Sequence, residues 1–292
     1  MLTHSHKTRG TGSNISNKRA SPWGALFVCV VTYVCVVTFF IARAADASEP
    51  TCAADHVDEV AVVTQVIDGD TVRLQGGRSV RLIGINTSEI GRDGKPSEPL
   101  AEQARETLRS LLGPHATVSL RYGQEQHDRY GRLLAHLYLS DGQNVEAYLL
   151  KVGLAAQITV PPNSWRAACY RDAEQIARAA NKGVWREYYR PLAVEAVPAD
   201  TRGFRVITGK VIRVGQSKRS WWLNFAPRPR PGEAAKMMSV RISIDDLPNF
   251  DANALRALTG KKIIVRGWLH PYKNQPVMRL RHPANLEVVK AN

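Results

Sequence analysis

Cysteine is scarce, with four in 292 residues. Two of them, Cys29 and Cys35, sit inside an apolar run, and the remaining pair, Cys52 and Cys169, lacks the spacing of a zinc site. Acidic residues are outnumbered, 26 against 40 Lys and Arg, for a net charge of +14. Such a surplus favours acidic partners, nucleic acid first and anionic membrane second. Hydrophobic content of 44% is ample for folded cores and excludes a disordered chain. Long apolar runs are absent except for one, residues 24–42.

That run is uncharged and follows a polar segment bearing Lys7, Arg9, Lys18 and Arg19. As a helix it would span roughly 28 Å, close to a bilayer core. It reads as an export signal or a membrane anchor. Its length favours the anchor, while Ala42-Arg-Ala44 and Ala45-Asp-Ala47 both fit a small-x-small cleavage site. Residues 1–45 therefore form a cytoplasmic segment plus anchor or signal peptide, and the rest is expected on the periplasmic or extracellular side. An oxidising compartment would let Cys52 and Cys169 pair; otherwise they are two separate thiols.

Charge is unevenly spread. Residues 55–185 hold fifteen basic and sixteen acidic residues, whereas residues 204–292 hold seventeen and five. The C-terminal part thus carries +12 of the +14. The first part is close to neutral.

The hydrophobic pattern divides the exported part further. Glu59–Ile67 is rich in β-branched residues, and Thr71–Ile85 alternates apolar and basic residues around a Gly76-Gly77 turn. Residues 100–112 place apolar side chains on one helical face before Gly113-Pro114 ends the run. Residues 117–122 and 133–139 supply two more strands, and residues 144–153 and 165–180 two more helices. The expectation is an α+β, mainly β domain over 55–186, a five-stranded OB-type barrel with three helices. Residues 187–203 read as a linker, and 204–292 as a second, small β-barrel-like domain.

Three segments carry chemistry: Ile67-Asp-Gly-Asp-Thr71, Arg81-Leu-Ile-Gly-Ile-Asn-Thr-Ser-Glu89 and Asp128-Arg-Tyr-Gly-Arg132. They combine acids and arginines as metal-assisted phosphodiester cleavage requires. A hard dication takes oxygen ligands, which Asp70 and Asn86 can supply while waters fill most other positions. Charge builds on phosphoryl oxygens in the transition state, and guanidinium forks fit those oxygens bidentately. Asp-Gly-Asp can also be no more than a turn in which Asp68 and Asp70 bond their own backbone.

On these motifs, residues 60–186 resemble the staphylococcal nuclease (thermonuclease) family. The resemblance implies an OB barrel that cleaves DNA and RNA with calcium. It implies that Asp70, Asn86 and the Thr87 carbonyl ligate the metal, that Arg81 and Arg132 hold the phosphate, and that Glu89 orders or activates the attacking water. Tyr130 would stack on or abut a nucleotide, and Asp68 and Asp128 would stand behind the site, Asp128 orienting backbone or an arginine. Two departures stand out. Asn86 replaces an aspartate of the type member, which implies weaker calcium binding or another divalent ion, and Leu154–Asn163 lacks the tyrosines that line the type member's base pocket.

The C-terminal region has no catalytic constellation. Alternating runs at 204–214, 219–225, 239–244 and 261–269 predict strands, with a short helix over 251–258. Arg213, Lys218, Arg219, Arg228, Arg230, Arg279 and Arg281, mixed with Trp221, Trp222, Trp268 and Tyr272, suit a groove that attracts backbone and stacks bases. A solvated basic surface or a patch for anionic lipid is the competing reading. Trp221 and Trp222 must face opposite ways on a strand.

The sequence therefore points to an exported nuclease acting on DNA or RNA, membrane-bound through residues 24–42 if these are retained. The alternative is a noncatalytic nucleic-acid-binding or interaction protein on the same fold. No protein partner is legible.

Overall fold

A computed structural model describes residues 51–226, 237–272 and 275–290. The hydrophobic run 24–42, Arg228 and Arg230 lie outside the described residues. Among the described residues, no helix is long and apolar enough to cross a membrane.

Strands β1 (Glu59–Val66), β2 (Thr71–Leu74), β3 (Ser79–Leu82), β5 (Thr117–His127) and β6 (Leu133–Tyr138) close a five-stranded barrel in the order β1-β2-β3-β6-β5. Pairing is antiparallel except between β3 and β6. Alternation puts Val72, Leu74, Val80, Leu82, Leu120 and Leu137 inside, where they are almost fully buried. Helix α1 (Ala101–Leu112) lays Ala101, Ala104, Leu108 and Leu112 against this core, as its apolar spacing predicts. Helix α2 (Val145–Lys151) starts at Asn144, whose side chain accepts from the Ala147 N–H at 2.7 Å.

One feature of the barrel was not legible. After β3 the chain kinks at Gly84, whose φ is +87° and whose absent Cβ would lie 2.4 Å from the Tyr170 ring. Only glycine meets both demands. The kink frees strand β4 (Ile85–Thr87) to leave the barrel and pair with β7 (Ala155–Gln157), setting Asn86 opposite Ala156.

Helix α3 (Ala167–Ala179) packs on α2 and holds Cys169, which is disulfide-bonded to Cys52 across 117 residues of sequence. Disulfides typically contribute about 2–4 kcal/mol, and chain entropy puts a loop of that size at the upper end, at about 5 kcal/mol.

Strands β8 (Leu192–Ala193), β9 (Gly203–Lys210), β10 (Arg213–Ser217), β11 (Ser220–Asn224), β12 (Ser239–Ser243), β13 (Lys262–Tyr272) and β14 (Gln275–Arg279) follow one another in a single sheet, ordered β10-β11-β12-β14-β13-β9-β8. An eighth strand, β15 (Leu286–Val288), also pairs with β13. The run read as one strand over 204–214 is two, β9 and β10, and the segment read as a linker contributes β8. Helix α4 (Ala252–Arg256) is capped by Asp251. Trp221 is buried in the core of this sheet and Trp222 lies on the other face.

The two parts share a third core. Ala156, Ile158, Ala177, Val184, Trp185 and Tyr189 pack with Phe204 and Val206 of β9. Beside it, fully buried Arg266 of β13 donates Nη1 to both Glu174 oxygens at 2.7 Å, and its Nη2 donates to Glu287. Thr159 and Asn285 exchange two hydrogen bonds of 2.8 Å. Burying an ion pair costs desolvation, so it persists only with its hydrogen bonds complete, as here.

Candidate active site

Three short segments meet at the barrel rim. The β1–β2 turn supplies Asp68 and Asp70, β3 supplies Arg81, and β4 supplies Asn86 and Thr87. Gly69 permits the meeting: a Cβ there would lie 2.7 Å from the Ala104 Cβ and 2.8 Å from the Thr87 Oγ1. Any side chain at 69 would push the turn off α1 and β4.

Asp70 is the hub. Its Oδ2 accepts from the Thr87 N–H at 3.0 Å and pairs with Arg81 Nη2 at 3.0 Å, while its Oδ1 accepts from the Thr71 hydroxyl at 3.2 Å. The Asp70 N–H donates to Asp68 Oδ1 at 3.0 Å, so the turn bonding expected of Asp-Gly-Asp is present together with the wider cluster. Arg81 also donates to the carbonyls of Leu82 and Ile85. These bonds fix the guanidinium and still leave it N–H donors for an anion.

The carboxylates repel one another. Burial, then the charge of Asp70, pushes the Asp68 carboxyl up to about 6. Glu89 is exposed to solvent, yet crowding of its carboxyl by protein atoms, and then the charges of Asp70 and Asp68, raises it above the usual range. Arg81 opposes both shifts. A pocket of hard oxygen donors with surplus negative charge fits a divalent cation. Among the described residues, no group of three His, Cys, Asp or Glu side chains is placed to hold an ion by itself. A cation held here would need amide or carbonyl oxygen and water to complete its donor set. Asn86 is buried, and its Nδ2 donates to the Thr87 carbonyl at 3.0 Å and to the Tyr189 hydroxyl at 3.2 Å.

Asp128 organises the second arginine. Its Oδ1 accepts from the N–H groups of Tyr130 and Arg132, and its Oδ2 accepts from Arg132 Nε at 2.8 Å. Burial would raise its carboxyl, but these bonds and the Arg132 charge hold it below the usual range. Asp128 is thus committed to backbone and arginine. Arg132 Nη1 lies 3.5 Å from the Thr71 hydroxyl, linking the two arginine sites, and the Arg132 Cζ sits 5.6 Å from the centre of the exposed Tyr130 ring.

Arg81, Arg132 and Tyr130 line one cleft of about 400 Å³. The cleft is also lined by Ile158 and Val160, where the sequence lacks tyrosines, and by two C-terminal side chains, Trp268 of β13 and Arg281 just beyond β14. Of the described C-terminal residues singled out in sequence, Trp268 and Arg281 line this cleft, Trp222, Tyr272 and Arg279 line a separate groove, and Arg213, Lys218, Arg219 and Trp221 line neither.

Sequence reasoning missed two positioning residues, Glu98 and Tyr189. Glu98 accepts from the Glu89 N–H at 2.9 Å and returns its own N–H to the Glu89 carbonyl at 2.9 Å, closing the loop that carries Glu89. Tyr189 touches Asn86 from 103 residues away. Trp268 reaches the cleft from β13, and its place was marked by the alternation Ile264, Arg266, Trp268, His270 along one strand face.

Residues 79–187 match the family described as staphylococcal nuclease homologue. A thermonuclease of Staphylococcus intermedius is 30% identical over 161 residues, 54% of this chain and 95% of the relative. A thermonuclease of Staphylococcus hyicus is 31% identical over 126 residues, 42% of this chain and 73% of the relative. The endonuclease YncB of Bacillus subtilis is 32% identical over 126 residues, 41% of this chain and 59% of that protein. With a closed barrel that brings Asp70, Arg81 and Thr87 into contact, and with relatives matched over most of their length, the chain belongs to the staphylococcal nuclease family.

Proposed function

We propose that this hydrolase, a nuclease by family, cleaves phosphodiester bonds of DNA and RNA with a divalent cation, calcium in the first instance. The observation that carries the reading is the junction of Asp70, Arg81 and Thr87 beneath a cleft that also holds Arg132 and Tyr130.

In this reading Asp70 supplies a carboxylate to the cation, and Asn86 and the Thr87 carbonyl supply neutral oxygens. When bound, the cation would neutralise phosphate charge and lower the barrier to attack. Arg81 and Arg132 bind the phosphate from two sides, their planes fixed by Asp70 and Asp128. Glu89, raised in proton affinity by its neighbours, is tuned toward taking a proton from water, and Glu98 fixes its backbone. Tyr130 offers an aromatic face to the nucleotide.

Asn86 removes one formal negative charge relative to the aspartate of the type member, so affinity for calcium is weaker. Exported sites operate at dissociation constants of roughly 10⁻⁴ to 10⁻³ M, and this site belongs in that range. Action outside the cytoplasm is part of the same proposal, with residues 24–42 as the anchor. The Cys52–Cys169 disulfide supports it, because such bonds persist in oxidising compartments.

The test is incubation of the purified protein with single-stranded DNA in calcium, in EDTA, and as Glu89→Gln. Cleavage that requires both the metal and Glu89 is expected. Binding without any such cleavage would overturn the enzymatic reading.

A further inference from the structure

The C-terminal sheet sets four large side chains in a row across the face turned away from its core. Pairing places Trp222 of β11 beside Arg241 of β12, and Arg241 beside Arg279 of β14. The β13–β14 register ends at the Leu269–Met278 pair, and continuing it by one step sets Arg279 opposite Trp268 of β13. Side chains directly opposite on paired strands lie on the same face. The row therefore reads indole, guanidinium, guanidinium, indole.

This row joins two hollows. Trp222, Arg241 and Arg279 line a groove of about 430 Å³ together with His270 and Tyr272. Trp268, at the other end, lines the nucleotide cleft beside Arg281. Buried Asp246 ties the two together: Arg279 Nε donates to it at 2.7 Å and Arg281 Nε at 3.3 Å. Two arginines on one carboxylate leave net positive charge at the junction. Arg241 donates Nε to the Ser220 hydroxyl at 2.7 Å and, among the described residues, has no carboxylate partner.

Both indoles are held. Trp222 Nε1 lies 3.3 Å from the Ser217 hydroxyl, and Trp268 packs edge-on against Phe204 at 5.5 Å between ring centres. Aromatic faces at both ends with cations between suit a strand whose bases are free to stack and whose phosphates follow the arginines. A duplex hides its base faces, and a lipid headgroup has no base to stack.

We propose that the row Trp222-Arg241-Arg279-Trp268 carries a single-stranded stretch of substrate onward from the active-site cleft. The proposal rests on the nuclease reading for the identity of the substrate. The row would select long single strands over short fragments.

The experiment measures binding of fluorescein-labelled oligo(dT) of 20 and of 3 nucleotides to the full chain in EDTA, by anisotropy across a salt series. Cleavage of the same strands is measured in calcium. In Trp222→Ala, the Kd for the 20-mer should rise about tenfold, the value of one stacked base. The ratio of kcat/KM on the 20-mer to that on the 3-mer should fall about tenfold as well. Arg241→Gln should flatten the slope of log Kd against log salt by about 0.7, one phosphate contact on a single strand. Trp222→Phe keeps an aromatic face and should restore most of the affinity, which a folding defect would not allow. Unchanged 20-mer binding in both variants, or equal losses on both lengths, would overturn the row, as would a loss seen only on phosphatidylserine vesicles. Binding that depends on length and on these residues, without metal-dependent cleavage, would instead sink the nuclease reading and leave the row standing.

Discussion

The barrel and the C-terminal sheet handle charge in opposite ways. The barrel is close to neutral and turns ionisable groups inward: Asp68, Asp70, His136, Glu146 and Glu174 are all buried. The sheet carries most of the net charge and turns Arg241, Arg279 and His270 toward an open groove. Among its arginines Arg266 is the exception, fully buried because it serves the junction with Glu174. Buried charge alters proton affinity and answers to pH. Exposed charge gathers polyanions and answers to salt. In the proposed reading, reaction and capture sit in two electrostatic regimes within one compact unit, residues 49–292.

The sharpest way to break this contrast lies on the barrel side. Glu89→Gln should lower kcat by about 10²- to 10⁴-fold, the usual worth of a general base, as followed by DNA cleavage in calcium. A loss of less than tenfold would remove Glu89 from the chemistry. Next comes the junction. Glu174→Ala strips Arg266 of its main partner and should cost about 3–5 kcal/mol, read by denaturant unfolding. A negligible cost would mean that the two parts are not energetically joined there.

Asn86→Asp should act in two directions. The substitution removes the Nδ2 donor to the Thr87 carbonyl and the Tyr189 hydroxyl, destabilising the metal-free protein by about 1–3 kcal/mol. The added negative charge should tighten calcium binding by about tenfold or more, measured by titration calorimetry. Thermal melts with and without calcium would then diverge more than in the parent protein.

Per pH unit the smallest effect concerns His136. Burial, and then the charge of Arg121, holds His136 down at about 3, with Tyr170 Oη at 2.6 Å, Glu146 at 3.9 Å, and Trp165, Asp55 and Arg166 around it. The unfolded chain takes up this proton near 6.5, so the contribution is full above 6.5 and is lost as pH falls toward 3. Glu146, raised by burial, has the opposite sign and stays in both proteins when only His136 is changed. Unfolding of His136→Asn and parent should therefore draw together by about 1.4 kcal/mol per pH unit below 6.5. A constant gap would show that His136 is charged in the fold.

Much of the barrel was legible because its strands and α1 follow simple periods, and because Asp68, Asp70, Arg81 and Glu89 stand close to one another in sequence. The β4–β7 pair was not, since three-residue strands such as Ile85–Thr87 have no period to read. Nor was the contact from Tyr189 to Asn86, which depends on how the segment after α3 packs back. The break between β9 and β10 was hidden because Val211 and Ile212 continue the apolar pattern across it. In the C-terminal sheet composition named the right kinds of side chain, but only strand pairing shows that Arg241, absent from the residues first singled out, stands between Trp222 and Arg279. Residues 204–292 read as a second β domain, and the core that Phe204 and Val206 share with Trp185 and Tyr189 follows from tertiary packing that no local period encodes.

The Cys52–Cys169 bond has a mechanical consequence. Cys52 precedes the first strand of the barrel, and its partner lies on α3, the helix whose Glu174 grips Arg266. Tension applied to the chain ahead of Cys52 would pass through sulfur to α3 and onward to the C-terminal sheet. Strand β1, which closes the barrel around the catalytic rim, is left out of the line of pull.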